Sequence, residues 1–179
     1  MLATGWLWKK AQKGQLPLVD AVKKVQGELM AGPSLEASAG DEDARLVANA
    51  KKSALFVLGI AFQKYMTTLD DQQEVLAGIT DISMNAFAME SVWLRCRKVN
   101  ERGGRNAGHV SEMTSVFLRE ATEQIEGFAR TVLANCSEGD GLRMNLTILK
   151  RFTKFTPVDA IGLRRKIAKR LLDAEKYLA

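Results

Sequence analysis

The sequence predicts an all-α fold, an antiparallel helical bundle with about three long helices plus shorter terminal helices. Three observations carry this. No proline occurs between Ser34 and Thr156, so long uninterrupted helices are allowed there. Within that stretch apolar residues recur at helical spacing. The clearest series is Val75, Ile79, Ile82, Ala86, Met89, Trp93 and Cys96, stepping 4-3-4-3-4-3 as a seam against another helix does. Third, a chain of 179 residues with 46% apolar, 26% charged and 7% aromatic side chains is globular, and its three prolines are too few for a many-turned β protein.

Seven helical stretches follow in order. The first covers about 2–13 and the second about 17–31, with Pro17 in a first turn, where its missing N–H costs nothing. Gly32 to Gly40, holding Pro33, reads as a linker. The third helix runs from about 42 to 68, with Asp41, Glu42 and Asp43 complementing the dipole at its start. It carries a small-residue stripe, Ala50, Ala54, Val57, Ala61 and Tyr65, beside a larger one, Leu55, Leu58, Phe62, Met66 and Leu69. Asp70 or Asp71 caps a fourth helix reaching about 100, and the glycine cluster 103–108 ends it. A fifth spans about 110–135, with a seam of Val110, Met113, Phe117, Ala121, Gln124, Phe128 and Val132 and a cap near Asn106. Gly139-Asp140-Gly141 breaks the chain before a sixth over about 142–153, and Thr156-Pro157 opens a seventh to about 177. The domain boundaries expected are a connector over 1–31, a linker over 32–40 and a helical bundle domain over 41–179. Trp93, on the cleanest seam, is expected to be a core residue.

Much chemistry is excluded. One histidine, His109, cannot build a site needing two imidazoles, and His109-x-x-Glu112 is half of what a di-iron bundle uses twice. Cys96 and Cys136 lack metal-ligand spacing and are too few for a disulfide framework. No metal site is expected. The cluster 103–108 lacks the Lys-Ser/Thr of a phosphate loop and follows a helix, so it reads as a surface turn. The longest apolar run, Ala54 to Phe62, spans roughly 14 Å as a helix. A bilayer core needs about 20 apolar residues, so the run is buried in protein. No secretory signal is visible, and a cytoplasmic location is expected.

Three surface features remain. Glu90 and Arg97 lie beside the seam of the fourth helix, two turns apart. They read as a structural ion pair or as charges partnered from a neighbouring helix. Phe56 and Ile60 depart from the stripes of the third helix, as Met84 and Ala88 do on the fourth. They either pack under the first, second or seventh helix or form a subunit contact, and Phe56, Ile60 and Met84 are carried forward as interface candidates. The charge is uneven: residues 1–30 carry +3, 31–142 carry −5 and 143–179 carry +7. The first reading is basic ends docking on an acidic middle. Trp6, Trp8, Lys9 and Lys10 with the basic last helix make a membrane surface the alternative. No stacking aromatics or nucleic-acid motif accompany the basic patch, so nucleic acid is not an expected partner.

Several blocks together resemble a known family. MLATGWLWKKAQKGQLPLVDAVKKVQGELM is similar to the region just after the catalytic-glutamate segment of acyl-CoA dehydrogenases of the very-long-chain type and their bacterial relatives. AKKSALFVLGIAFQKY followed by DDQQEVLAGITDISMNAFAMESVWLR resembles their extra C-terminal helical domain, and LKRFTKFTPVDAIGLRRKIAKRLLDAEKYLA the end of the bacterial members. The resemblance covers essentially the whole chain and rests on the order of the blocks. It implies a parent enzyme of fatty-acid β-oxidation that binds FAD, removes an α-proton from an acyl-CoA with a glutamate and passes a β-hydride to the flavin. It places that glutamate and the flavin-binding parts upstream, so no catalytic or cofactor residue is assigned here and FAD belongs to the parent. It makes 1–31 the end of the catalytic helical core. It gives 41–179 the role of an appendage packing on that core in a homo-oligomer, with inner-membrane association in mitochondrial members.

Overall fold

The computed structural model describes residues 10, 15, 17–30, 41–103 and 106–176. The expected helix over 2–13, apart from Lys10, and the linker 32–40 lie outside the described residues. Among the described residues there are six α-helices and no β-strand. They are α1 (Leu18–Met30), α2 (Glu42–Tyr65), α3 (Gln73–Glu101), α4 (Ala107–Cys136), α5 (Gly139–Thr153) and α6 (Ala160–Ala174), with a 3-10 helix over Met66–Asp71 between α2 and α3.

The three long helices run up, down and up. Lys51 of α2 meets Glu90 of α3, and Asp41 before α2 meets Trp93, which makes α2 and α3 antiparallel. Asn100 near the end of α3 meets Ser111 near the start of α4, and Gly78 near the start of α3 approaches Val132 near the end of α4. That pair is antiparallel too. The crossing at Gly78 is tight: a Cβ there would lie 2.6 Å from Val132 Cγ2. Short connections force this arrangement, because a turn of a few residues can only bring the next helix back alongside.

The core lies between these helices, with α5 closing one side. Leu46, Val57, Ala61, Leu69, Ile82, Met89, Leu118, Ile125, Ala129, Leu133 and Leu149 are sealed from solvent. Helix α2 is enclosed on several sides because α1, α3, α4 and α5 all pack on it. That explains the long apolar run 54–62 and the small residues along it, which let neighbours approach closely. Even Ser53 is buried there, its hydroxyl donating to Asn49 O at 3.0 Å.

Several sequence expectations shift. Helix α2 stops at Tyr65, because Met66 adopts φ 45° and the chain tightens into the 3-10 turn. Met66 therefore points to solvent, while Leu69 is carried into the core from that turn. Neither Asp70 nor Asp71 caps α3; Gln72 holds the N-cap position without a side-chain bond. The α3 seam is buried as spaced, except that Trp93 is half-buried and closes the end of the bundle rather than filling its centre. On α4 the expected seam is rotated: Gln124 is exposed, and Leu118, Ile125, Ala129 and Leu133 form the sealed face. The reason is that α4 is packed by α3, α2, α5 and α6, so its buried face is wider than one seam. Pro157 lies in the connection before α6, whose cap is Asp159, accepting from Gly162 N at 2.9 Å.

Candidate interaction surface

Phe56 is not available to a second subunit. It is 3% exposed and meets Phe152 of α5 edge-to-face, centroids 6.2 Å apart. Ile60, one turn on, is half-buried and packs on the same core. The two residues that leave the α2 stripes face α5, which covers that side of α2. Met84 differs: it is 62% exposed, and Phe87 and Leu94 on the same helix are exposed with it.

Glu90 and Arg97 do not pair with each other. Seven residues separate them by about 10 Å along the axis, beyond contact for a glutamate and arginine turned elsewhere. Glu90 meets Lys51 of α2. Arg97 reaches Glu101 at 3.5 Å and stacks over the Trp93 ring, 5.1 Å from its centroid. The Trp93 indole N–H donates to Asp41 Oδ2 at 3.3 Å, so this corner ties the start of α2 to the end of α3.

A larger polar clasp was not foreseen. Arg119 of α4, 8% exposed, donates Nη2 to Glu42 Oε2 at 2.8 Å, Nη1 to Asp43 Oδ1 at 3.1 Å and Nε to Thr156 O at 3.2 Å. The Thr156 N–H returns to Glu42 Oε1 at 2.9 Å, and Arg45 holds Lys154 O at 3.2 Å. The Thr156 backbone bond lowers the Glu42 pKa most, followed by the Thr156 side chain, Arg119 and Arg45; burial works the other way. The clasp pins the 154–159 connection across the starts of α2 and the middle of α4. Glu42 and Asp43, read from sequence as dipole partners of their own helix, mainly serve this long-range contact. Arg119 carried no periodic signal of its own.

The basic last helix docks on acidic α4. Arg164 meets Glu120, Lys166 meets Glu112, and Arg170 donates to Asn106 Oδ1. His109 Nδ1 lies 3.6 Å from Glu112 Oε2, one turn away on the same helix. The Lys166 bond, ahead of the contributions of His109, holds Glu112 below the ordinary carboxylate range against the opposing effect of burial. An open cleft of about 620 Å³ lies between the start of α4 and α6, lined by His109, Glu112, Lys166 and Arg170. At the other terminus the charges are reversed: Glu28 of α1 pairs with Lys52 of α2 at 2.7 Å. Thus intramolecular docking of a basic end on the acidic middle describes α6 but not this α1 contact.

Among the described residues no three His, Cys, Asp or Glu side chains converge on a point that could hold a metal ion. Both cysteines are buried and free, and burial pushes the Cys136 thiol up. No described helix is long and apolar enough to cross a membrane. The polar clusters tie helix to helix, and exposed apolar side chains stand on α3 (Met84, Phe87, Leu94) and on α6 (Ile161, Leu171, Leu172). Fold and surfaces together define an all-α helical bundle domain.

Comparison with known proteins makes the family specific. A family model described as acyl-CoA dehydrogenase, C-terminal domain, matches residues 49–151. A protein named probable acyl-CoA dehydrogenase from Bacillus subtilis (strain 168) is 40% identical over 172 residues, covering 94% of this chain and 29% of that protein. The crystal structure of an acyl-CoA dehydrogenase complexed with FAD from Bacillus anthracis matches with a TM-score of 0.91 at 39% identity, covering 98% of this chain and 30% of that one. The chain belongs to the acyl-CoA dehydrogenase C-terminal domain family. It spans less than a third of the length of these relatives.

Proposed function

We propose that this chain is the C-terminal helical packing and oligomerisation domain of an FAD-dependent acyl-CoA dehydrogenase of the very-long-chain type, acting in cytoplasmic fatty-acid β-oxidation. The observation that carries this is the match over nearly the whole chain to under a third of a flavin-containing relative. On this reading the catalytic glutamate and flavin site lie in the remaining part of such an enzyme, and that part is the first partner. The residues 41–179 form the packing domain, with 1–31 as its connector.

The lining of the cleft beside α6 is a poor match for a flavin. The cleft beside α6 has cationic walls already engaged by Glu112, Asp173 and Asn106, and no Phe, Tyr or Trp lines it. A flavin ring calls for an apolar slot with unengaged polar groups at its edge. No reaction step is therefore assigned to residues of this chain. Their part is to cover apolar surface and set the spacing of the larger assembly.

The alternative, a membrane-surface module, has weaker support. Ile161, Leu171 and Leu172 are exposed on α6, but Arg164, Lys166 and Arg170 are directed to α4 rather than outward. The decisive experiment compares this 179-residue chain with the complete product of its reading frame. The expected result is a colourless, mostly helical chain without acyl-CoA dehydrogenase activity, and a yellow, active product where the frame encodes the remaining domains. A flavin absorbance band in the chain alone overturns the proposal.

A further inference from the structure

Helix α6 has no buried residue, so its docking rests on the few polar side chains beneath it. One of the groups beneath it is the sole histidine of the sequence. His109 stands in the first turn of α4, its side chain is 7% exposed, and it lines the cleft between α4 and α6. An imidazole ordinarily changes charge near pH 6.5, a range in which no other side-chain type does so unperturbed.

The groups around it decide which charge state suits the docked helix. From α6 the cleft receives Lys166, Lys169, Arg170 and Asp173; from α4 it receives Glu112. Helix α3 approaches this turn through Asn100 and Cys96, which meet Ser111. Three cations therefore face two carboxylates, and the cleft is net positive before His109 takes up a proton. Lys166 is answered by Glu112 Oε1 and Lys169 by Asp173 at 2.9 Å, but Arg170 rests on the neutral Asn106 side chain.

Glu112 is shared. Its Oε1 anchors Lys166 of α6, while its Oε2 is buried, accepts no hydrogen bond of normal length among the described residues and lies 3.6 Å from His109 Nδ1. A neutral imidazole with its proton on Nδ1 already turns a donor toward Oε2. A second proton therefore adds no new donor toward Glu112; it adds only charge. That charge acts against docking in three ways. It is buried under α6 and would regain water if the helix left. It faces the cations of α6, Arg170 among them. It also draws Glu112, on its own helix, away from Lys166.

We propose that His109 is an acid-sensitive release for α6: with the imidazole neutral the helix stays docked on α4, and protonation in the mildly acid range drives it off. The docked form binds fewer protons than the released form, so docking weakens as pH falls through the imidazole range. This step is separate from the titration of Glu112. The Lys166 bond holds that carboxyl below its ordinary value, so loss of the Glu112 anchor by protonation lies further to acid.

The test is hydrogen exchange with mass spectrometry on the polypeptide expressed from its own gene, at pH 7.5, 6.5 and 5.5, with rates corrected for the intrinsic pH dependence of amide exchange. Protection of residues 160–174 should fall by about fivefold or more between pH 7.5 and 5.5, while protection of α2 stays constant. His109→Gln keeps a neutral hydrogen-bonding side chain and should abolish this step, and an unchanged circular dichroism spectrum will show that the variant folds. The unsubstituted protein gives a second check: returning it from pH 5.5 to 7.5 should restore the protection of 160–174. Flat or rising protection of 160–174 toward pH 5.5 overturns the proposal. So does a step that persists in His109→Gln, or one shared equally by α2, since the proton then acts elsewhere or on the whole bundle.

Discussion

The α2–α3–α4 bundle and the α6 strap are built by different physics. In the bundle, large side chains such as Leu118, Ile82 and Met89 are sealed from water. In α6 no residue is buried, and the helix is held through Arg164, Lys166 and Arg170. Burial of apolar area is insensitive to salt and additive over many contacts, whereas exposed ion pairs contribute about 1 kcal/mol or less each and are screened. One part of the molecule should therefore unfold only globally, and the other should loosen locally.

The largest effect that can break this contrast is in the bundle. Leu118→Ala should cost about 3–4 kcal/mol in urea denaturation, the transfer and cavity terms together. A loss near that of an exposed site would show that α4 is not packed as described. Arg119→Ala comes next, at about 2–3 kcal/mol, because it strands Glu42 and Asp43 at a partly buried junction. It should also release the 154–159 connection, seen as faster amide exchange at Thr156.

Trp93→Ala should cost about 2 kcal/mol, less than a central core truncation, because the ring is half-buried and its N–H bond to Asp41 is exposed. Gly78→Ala should cost about 1–2 kcal/mol, since Val132 must move from the added Cβ.

The smallest global effect belongs to α6, and it sharpens the comparison most. Raising salt should increase amide exchange in 160–174 while leaving the exchange of α2 unchanged. Acid should do the same. Glu112 faces Lys166 from α6 and His109 from its own helix, and its pKa is lowered. Its contribution is fully present above the ordinary glutamate value and is lost as pH falls through the lower value of the folded state. Hydrogen exchange along a pH series should therefore show α6 loosening on the acid side before the bundle does. Uniform exchange across both regions would erase the distinction.

Much of the bundle was legible because local and tertiary demands agree. The α3 seam needs only one neighbouring line of contact, so spacing alone places Val75, Ile79, Ile82, Ala86 and Met89. On α4 the same logic chose Gln124 over Ile125, because a helix packed on several sides has no single seam to detect. Met84 was visible as a departure from the α3 seam. Phe87 and Leu94, which complete its stripe, could have been found from their 3-4-3 spacing on the opposite face. Phe56 shows the limit: a residue off the expected stripe can face solvent, a partner or a later helix, and only the position of α5 decides.

The sequence by itself determined the helical class, the three long helices, the breaks between them and the family blocks, because periodicity, proline placement and order are local properties of the chain. It also carried the uneven charge. Only the tertiary structure decided that Arg119 joins Glu42, Asp43 and Thr156, that Glu90 answers Lys51 rather than Arg97, and that α5 covers Phe56. Those contacts join residues tens of positions apart. Their partners are set by which helix faces meet, and that follows from the packing of the whole bundle rather than from any one helix.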